Sequence, residues 1–132
     1  MLKKTITYTD FEGIQRTEDF YFHLTQAEIV KMDLRADGGS MDKMLKEIIR
    51  TEDIKKIGDI VDDFIRSSYG IKSLDGKRFI KSKELTEEFI QTEAYSQLFI
   101  ELLSDEGANL VKFVNGIVPQ QLAAEVAKMN KQ

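Results

Sequence analysis

The side chains that could do chemistry in this 132-residue chain are few: one histidine, His23, and the acids Asp59, Asp62 and Asp63. With a single imidazole and no cysteine, a Ser-His-Asp, Cys-His or His-rich metal constellation could form within one chain only around His23. His23 falls in a predicted strand, where a structural or surface histidine is the ordinary reading. Asp59, Asp62 and Asp63 stand at helical spacing, so some share a face, and Asp62 beside Asp63 could suggest a divalent-cation site. A solvated helix surface explains the same residues more simply. Ser73 to Glu84 has the length of a calcium loop ending in Glu, but Gly76 falls at its fourth position and lysines occupy ligand positions, which excludes that reading. Neither the dinucleotide fingerprint GxGxxG nor a phosphate-cradling GxxxxGK followed by Ser or Thr occurs. No catalytic, cofactor-binding or metal-binding residue is assigned, and an enzyme is not expected.

What remains is a binder, and the composition bounds its kind. Hydrophobic residues are 42% and charged residues 32%, a globular balance with enough apolar material for a core. The net charge of -4 argues against nucleic acid and anionic membranes as partners, because both need a basic face. No apolar run reaches the roughly 18 residues of a membrane span, and no signal-peptide pattern opens the sequence. The absence of cysteine fits a reducing cytoplasm. A soluble protein that stays where it is made is the expectation.

The elements that carry this surface read as one α+β domain over residues 1–132: a β-hairpin over 1–24, helices over 25–70, a turn or small hairpin over 71–81 and helices over 82–132. Leu2, Lys4, Ile6 and Tyr8 alternate with Lys3, Thr5, Thr7 and Thr9, the period of a half-buried strand. Asp10 to Gly13 supplies the turn, and Ile14 to Leu24 returns with Phe20, Phe22 and Leu24 on one face. An isolated hairpin is marginal in water, so its aromatic face must pack on helices or on another sheet edge.

Thr25 and Glu28 form a capping box for a helix from Gln26 to about Ala36. Ser40 can cap a second helix with a Met41, Met44, Leu45, Ile48, Ile49 stripe, and Thr51 a third with Ile54, Ile57, Val61, Phe64, Ile65 and Tyr69 inward, closed by Gly70. Asp75-Gly76 predicts a turn within a basic cluster of Lys72, Lys77, Arg78, Lys81 and Lys83, for which a solvated surface is the plain reading and an acidic partner the sharper one. Ser82 and Thr92 cap further helices. Thr92 to Pro119 is the densest apolar stretch, broken at Ser104 to Gly107, with Gly116 to Pro119 expected to form a corner before a last helix bearing Leu122, Val126 and Met129.

Three stretches, Lys3 to Gly13, Thr17 to Glu28 and Phe113 to Pro119, taken in order with Ala94-Tyr95-Ser96-Gln97-Leu98-Phe99, resemble the tail assembly chaperones of long-tailed (siphovirus-type) phages and prophages of Gram-positive bacteria. The resemblance spans nearly the whole chain. It implies a non-enzymatic chaperone that binds the tape measure protein and keeps it soluble in the host bacterial cytoplasm, and that is absent from the mature virion. It also implies a possible longer, frameshifted form that recruits the major tail tube protein. Homo-oligomerisation is open. Candidate partner-binding residues are Tyr8, Phe20 and Phe22 on the hairpin and Leu122, Val126 and Met129 on the last helix. The alternative is a structural tail or virion subunit that assembles through its β-hairpin.

Overall fold

The computed structural model describes residues 1–35, residue 50 and residues 54–118, with the side chains of 32–35 and 106 left aside. Alternation builds the first hairpin as expected: β1 (Leu2–Thr9) pairs antiparallel with β2 (Gln15–Phe22) in a register that sets Leu2 opposite Phe22 and Thr9 opposite Gln15. The Asp10 carboxylate organises the turn. Its Oδ1 accepts the N–H groups of Glu12 and Ile14, both at 2.9 Å, and Gly13 takes φ +81° where a side chain would be strained.

The predicted capping box closes at α1 (Gln26–Arg35): the Thr25 amide donates to Glu28 Oε1 at 3.0 Å, and the Glu28 amide to Thr25 Oγ1 at 3.2 Å. The helix expected after Ser40, the Thr51 cap and the last helix lie outside the described residues. α2 (Ile54–Ser68) buries Val61, Phe64 and Ile65. Ile54, expected inward, is instead 75% exposed.

Tyr69 and Gly70 differ from the sequence reading. They belong to β3 (Tyr69–Lys72) rather than to a helix and its C-terminal cap, and they pair with Phe22 and Tyr21 of β2. Glycine at position 70 answers a close approach, since a Cβ there would lie 2.6 Å from the Ile80 carbonyl oxygen. β4 (Phe79–Ile80) completes a four-stranded antiparallel sheet in the order β1-β2-β3-β4, so the small hairpin extends the first one. Its basic cluster is partly structural: the partly buried Lys81 ammonium bonds both Glu28 carboxylate oxygens, at 2.8 and 2.7 Å, and the Ser67 carbonyl at 2.8 Å.

Three more helices follow. Ser82 Oγ caps α3 (Lys83–Ile90) by accepting the Leu85 amide, and Thr92 Oγ1 caps α4 (Glu93–Leu103) by accepting the Tyr95 amide. A 3-10 turn at Asp105–Gly107 leads into α5 (Ala108–Ile117) through Gly107, which holds φ +91°. The stop expected over Gly116 to Pro119 falls at Ile117, where Val118 turns extended, but Gly116 itself stays helical, and a Cβ there would meet Leu2 Cδ1 at 3.0 Å. Helix packing against β1, rather than positive φ, is what favours glycine there.

The fold is α+β, an N-terminal antiparallel hairpin followed by helices that cover one face of the sheet. Its other face is polar, with Thr5 Oγ1 donating to Asp19 Oδ1 at 2.6 Å. The core lies between, where Phe22 meets Phe113 edge-on at 5.3 Å between ring centroids and Tyr69 stacks on Phe89 at 4.5 Å.

Candidate partner-binding groove

The hairpin aromatics proposed as partner contacts point into this core. Phe22 is fully buried, Tyr8 is 9% exposed with its hydroxyl donating to Glu18, and Phe20 is half-buried with its ring 5.0 Å from Phe89. This is the packing role that the sequence left open beside partner binding. Leu122, Val126 and Met129 lie outside the described residues.

Among the described residues, an open apolar surface lies between α2 and α4. Gly58, in the middle of α2, gives that helix a bare spot; a Cβ there would come 3.4 Å from Phe99 Cζ on α4. The helices thereby leave a groove of about 400 Å³, with Ile54, Phe99 and Leu103 as its apolar lining and Lys55, Asp59, Asp62 and Tyr95 as its polar lining. Ile54 carries most of its side chain into solvent at the rim. On the far side of α4, Ile100 is 63% exposed.

Electrostatics at Asp62 are fixed by hydrogen bonds. Asp62 accepts the Tyr95 hydroxyl on Oδ1 and the Arg66 guanidinium Nε on Oδ2 at 2.7 Å, and Arg66 also reaches Glu87 at 3.7 Å. Burial, then the bond to Asp62, raises the Tyr95 hydroxyl well above its ordinary pKa, so it remains a donor. Burial raises the neighbouring Asp63 carboxyl, and the charges of Asp62 and Asp59 add to it. The acids expected on a solvated helix face thus divide: Asp62 anchors Tyr95 and Arg66, while Asp59 is exposed on the groove wall. Among the described residues, no group of three His, Cys, Asp or Glu side chains could hold a metal ion.

His23 is placed just beyond β2. Its backbone amide donates to the Ser68 carbonyl at 2.8 Å, and its ring stands edge-on to Phe79 at 6.1 Å. Nδ1 is buried and has no hydrogen-bond partner among the described residues. Burial lowers the imidazole pKa, with the N-terminal amine and the Lys81 ammonium acting in the same direction and Glu28 against them. These surroundings are those of a packed histidine.

A family profile described as phage tail assembly chaperone matches residues 1–132. The chain belongs to the phage tail assembly chaperone family. A search of curated proteins and of solved structures returns no match. Membership gives this chaperone a role in tail assembly and implies a non-catalytic one, in keeping with a surface offering an apolar groove. No helix among the described residues is long and apolar enough to cross a membrane.

The sequence did not single out this groove. Ile54 falls on the inward stripe expected of α2, and Phe99 and Leu103 lie in the Thr92 to Pro119 stretch, which the sequence marks only as densely apolar. One signal was available: Gly58 stands mid-helix, where glycine costs about 1 kcal/mol against alanine and asks for a packing reason.

Proposed function

We propose that this tail assembly chaperone binds the tape measure protein of a long-tailed phage or prophage of Gram-positive bacteria, and keeps it soluble until tube subunits polymerise around it. The observation that carries the reading is the α2/α4 groove: an apolar trough open at Ile54, with exposed Asp59 on its wall. It suits an amphipathic client helix whose apolar stripe lies on Ile54, Phe99 and Leu103 and whose basic flank meets Asp59. Leu122, Val126 and Met129 are further candidate client contacts, while Tyr8, Phe20 and Phe22 hold the sheet that supports the helices. In this reading the protein acts in the host cytoplasm and is absent from the mature virion. A frameshifted longer form would recruit the major tail tube protein.

Co-expression with the tape measure protein, followed by pull-down and measurement of the soluble fraction, tests the proposal. Wild-type chain is expected to co-purify with the client and raise its solubility. Ile54→Glu is expected to abolish both while leaving the chaperone folded, because the side chain it replaces is already in water. No association of the wild-type chain would refute the client, and unchanged binding by Ile54→Glu would refute the groove.

A further inference from the structure

β1 ends the sheet, and among the described residues it pairs only with β2. The Asp10 amide donates to the Ile14 carbonyl at 2.9 Å, and the His23 amide, just past β2, donates to the Ser68 carbonyl at 2.8 Å. Antiparallel ladders alternate, so both bonds set the same phase: Tyr8, Ile6, Lys4 and Leu2 turn their N–H and C=O groups toward β2. Lys3, Thr5, Thr7 and Thr9 therefore direct theirs away from the sheet. No proline, bulge or central charge protects this edge, since β1 keeps an unbroken register and its two lysines, Lys3 and Lys4, stand together at one end.

A second feature lies at that same end. Between β1 and the helices is a half-open cavity of about 110 Å³, several times the roughly 30 Å³ share of one water. Leu2, Leu102 and Phe113 supply its apolar lining, and Lys4, Glu101, Asn109 and Lys112 its polar lining. β1 is the one strand among the described residues that contributes, so the cavity sits beside the sheet edge, on the helix side. A strand laid along β1 would alternate its side chains, and the one opposite Leu2 or Lys4 would point toward the helices and reach the cavity. Glu101 is already paired with Lys4 at 2.8 Å, so Lys3 and the exposed Lys112 tip this end of the molecule positive.

We infer that the outer edge of β1 takes an extended, acidic segment of another protein, paired as a fifth strand, with one aliphatic side chain seated in the cavity. The outward backbone groups of Lys3, Thr5 and Thr7 supply the affinity, and the cavity selects the side chain. Acidic neighbours of that side chain meet Lys3 and Lys112. A one-residue slip would turn the aliphatic group to the polar face, so cavity and pleat fix the register together. This site stands apart from the α2/α4 groove, which shares none of its residues.

Nuclear magnetic resonance of the isotope-labelled full chain, titrated with the capped peptide Thr-Glu-Thr-Leu-Thr-Glu-Thr, reads the inference. Saturating peptide is expected to slow amide hydrogen exchange at Lys3, Thr5 and Thr7 roughly tenfold or more, while Lys4 and Ile6, already bonded to β2, keep their rates. Replacing the peptide's Leu by Gly, or both its Glu residues by Lys, is expected to weaken binding roughly tenfold. Thr5→Pro removes an outward donor without removing a bond to β2, and Lys112→Glu reverses an exposed charge; each, verified as folded by circular dichroism, is expected to weaken binding by about the same factor. No binding of the Leu peptide, binding without slowed exchange at Lys3, Thr5 and Thr7, equal binding of the Gly or Lys peptide, or undiminished binding by either folded variant would each overturn the inference.

Discussion

Two apolar regions are treated differently in this chaperone. On the inner face of the sheet, Phe22 packs ring to ring with Tyr69, Phe89 and Phe113 and has no exposed surface. Between α2 and α4, Phe99 and Leu103 are half-buried and Ile54 lies in water. The difference comes from what stands opposite. Sheet and helices both bring large rings to the first region, whereas Gly58 brings nothing to the second. Hydrophobic content alone does not decide burial; the volume supplied by the facing element does.

The largest effect should come from breaking the sealed region. Phe22→Ala is expected to lower stability by about 3–5 kcal/mol, because a fully buried ring leaves a cavity between sheet and helices. Phe99→Ala, on the open side, is expected to cost about 1 kcal/mol, in proportion to the smaller apolar area it withdraws from water. Urea unfolding of the two variants measures both. Equal losses would mean that the groove is as much core as the aromatic cluster.

A smaller perturbation probes how tightly the sealed side is built. Gly70→Ala drives a methyl group against the Ile80 carbonyl oxygen and the Phe79 ring, 2.7 Å away, and should cost about 1–3 kcal/mol. The matching Gly58→Ala change on the open side meets only Phe99 Cζ at 3.4 Å, an ordinary contact, and adds helix propensity. It is expected to leave stability unchanged or slightly raised. Thermal melts that ranked the two variants the other way would reverse the assignment of sealed and open.

Much of this fold was legible because local signals and tertiary packing agree. The alternation in β1, the Thr25/Glu28 capping box and the Ser82 and Thr92 caps each rest on neighbours in sequence, and each appears where it was read. The misreadings share a cause. Tyr69 and Gly70 continue an apolar helical period, yet a partner strand more than forty residues earlier draws them into the sheet. Gly116 reads as a turn residue until Leu2, from the opposite end of the described chain, occupies the space beside it. The groove was hidden for a similar reason: periodicity marks Ile54, Phe99 and Leu103 as apolar, but only the placement of α2 on α4 decides that their surfaces stay partly open.

The smallest expected effect distinguishes the regions by the sign of their response to acid. His23 beside the sheet has a lowered pKa from burial, so folding favours its neutral form. That contribution is fully present above the ordinary value of 6.5 and is lost as pH falls through the lowered folded value. Asp63, next to the groove acids, is shifted upward by burial and by Asp62 and Asp59, so folding disfavours its charge. Its cost is absent below the ordinary value of 3.8 and grows as pH rises through the raised folded value, so acidification returns stability there. Comparing the melting temperature of wild type with those of His23→Gln and Asp63→Asn across neutral to acidic pH separates the two. Relative to wild type, His23→Gln should gain as pH falls below 6.5, because it has no proton to take up, whereas the advantage of Asp63→Asn should shrink toward low pH. If both differences moved in the same direction, the two sides would not differ electrostatically as their surroundings require.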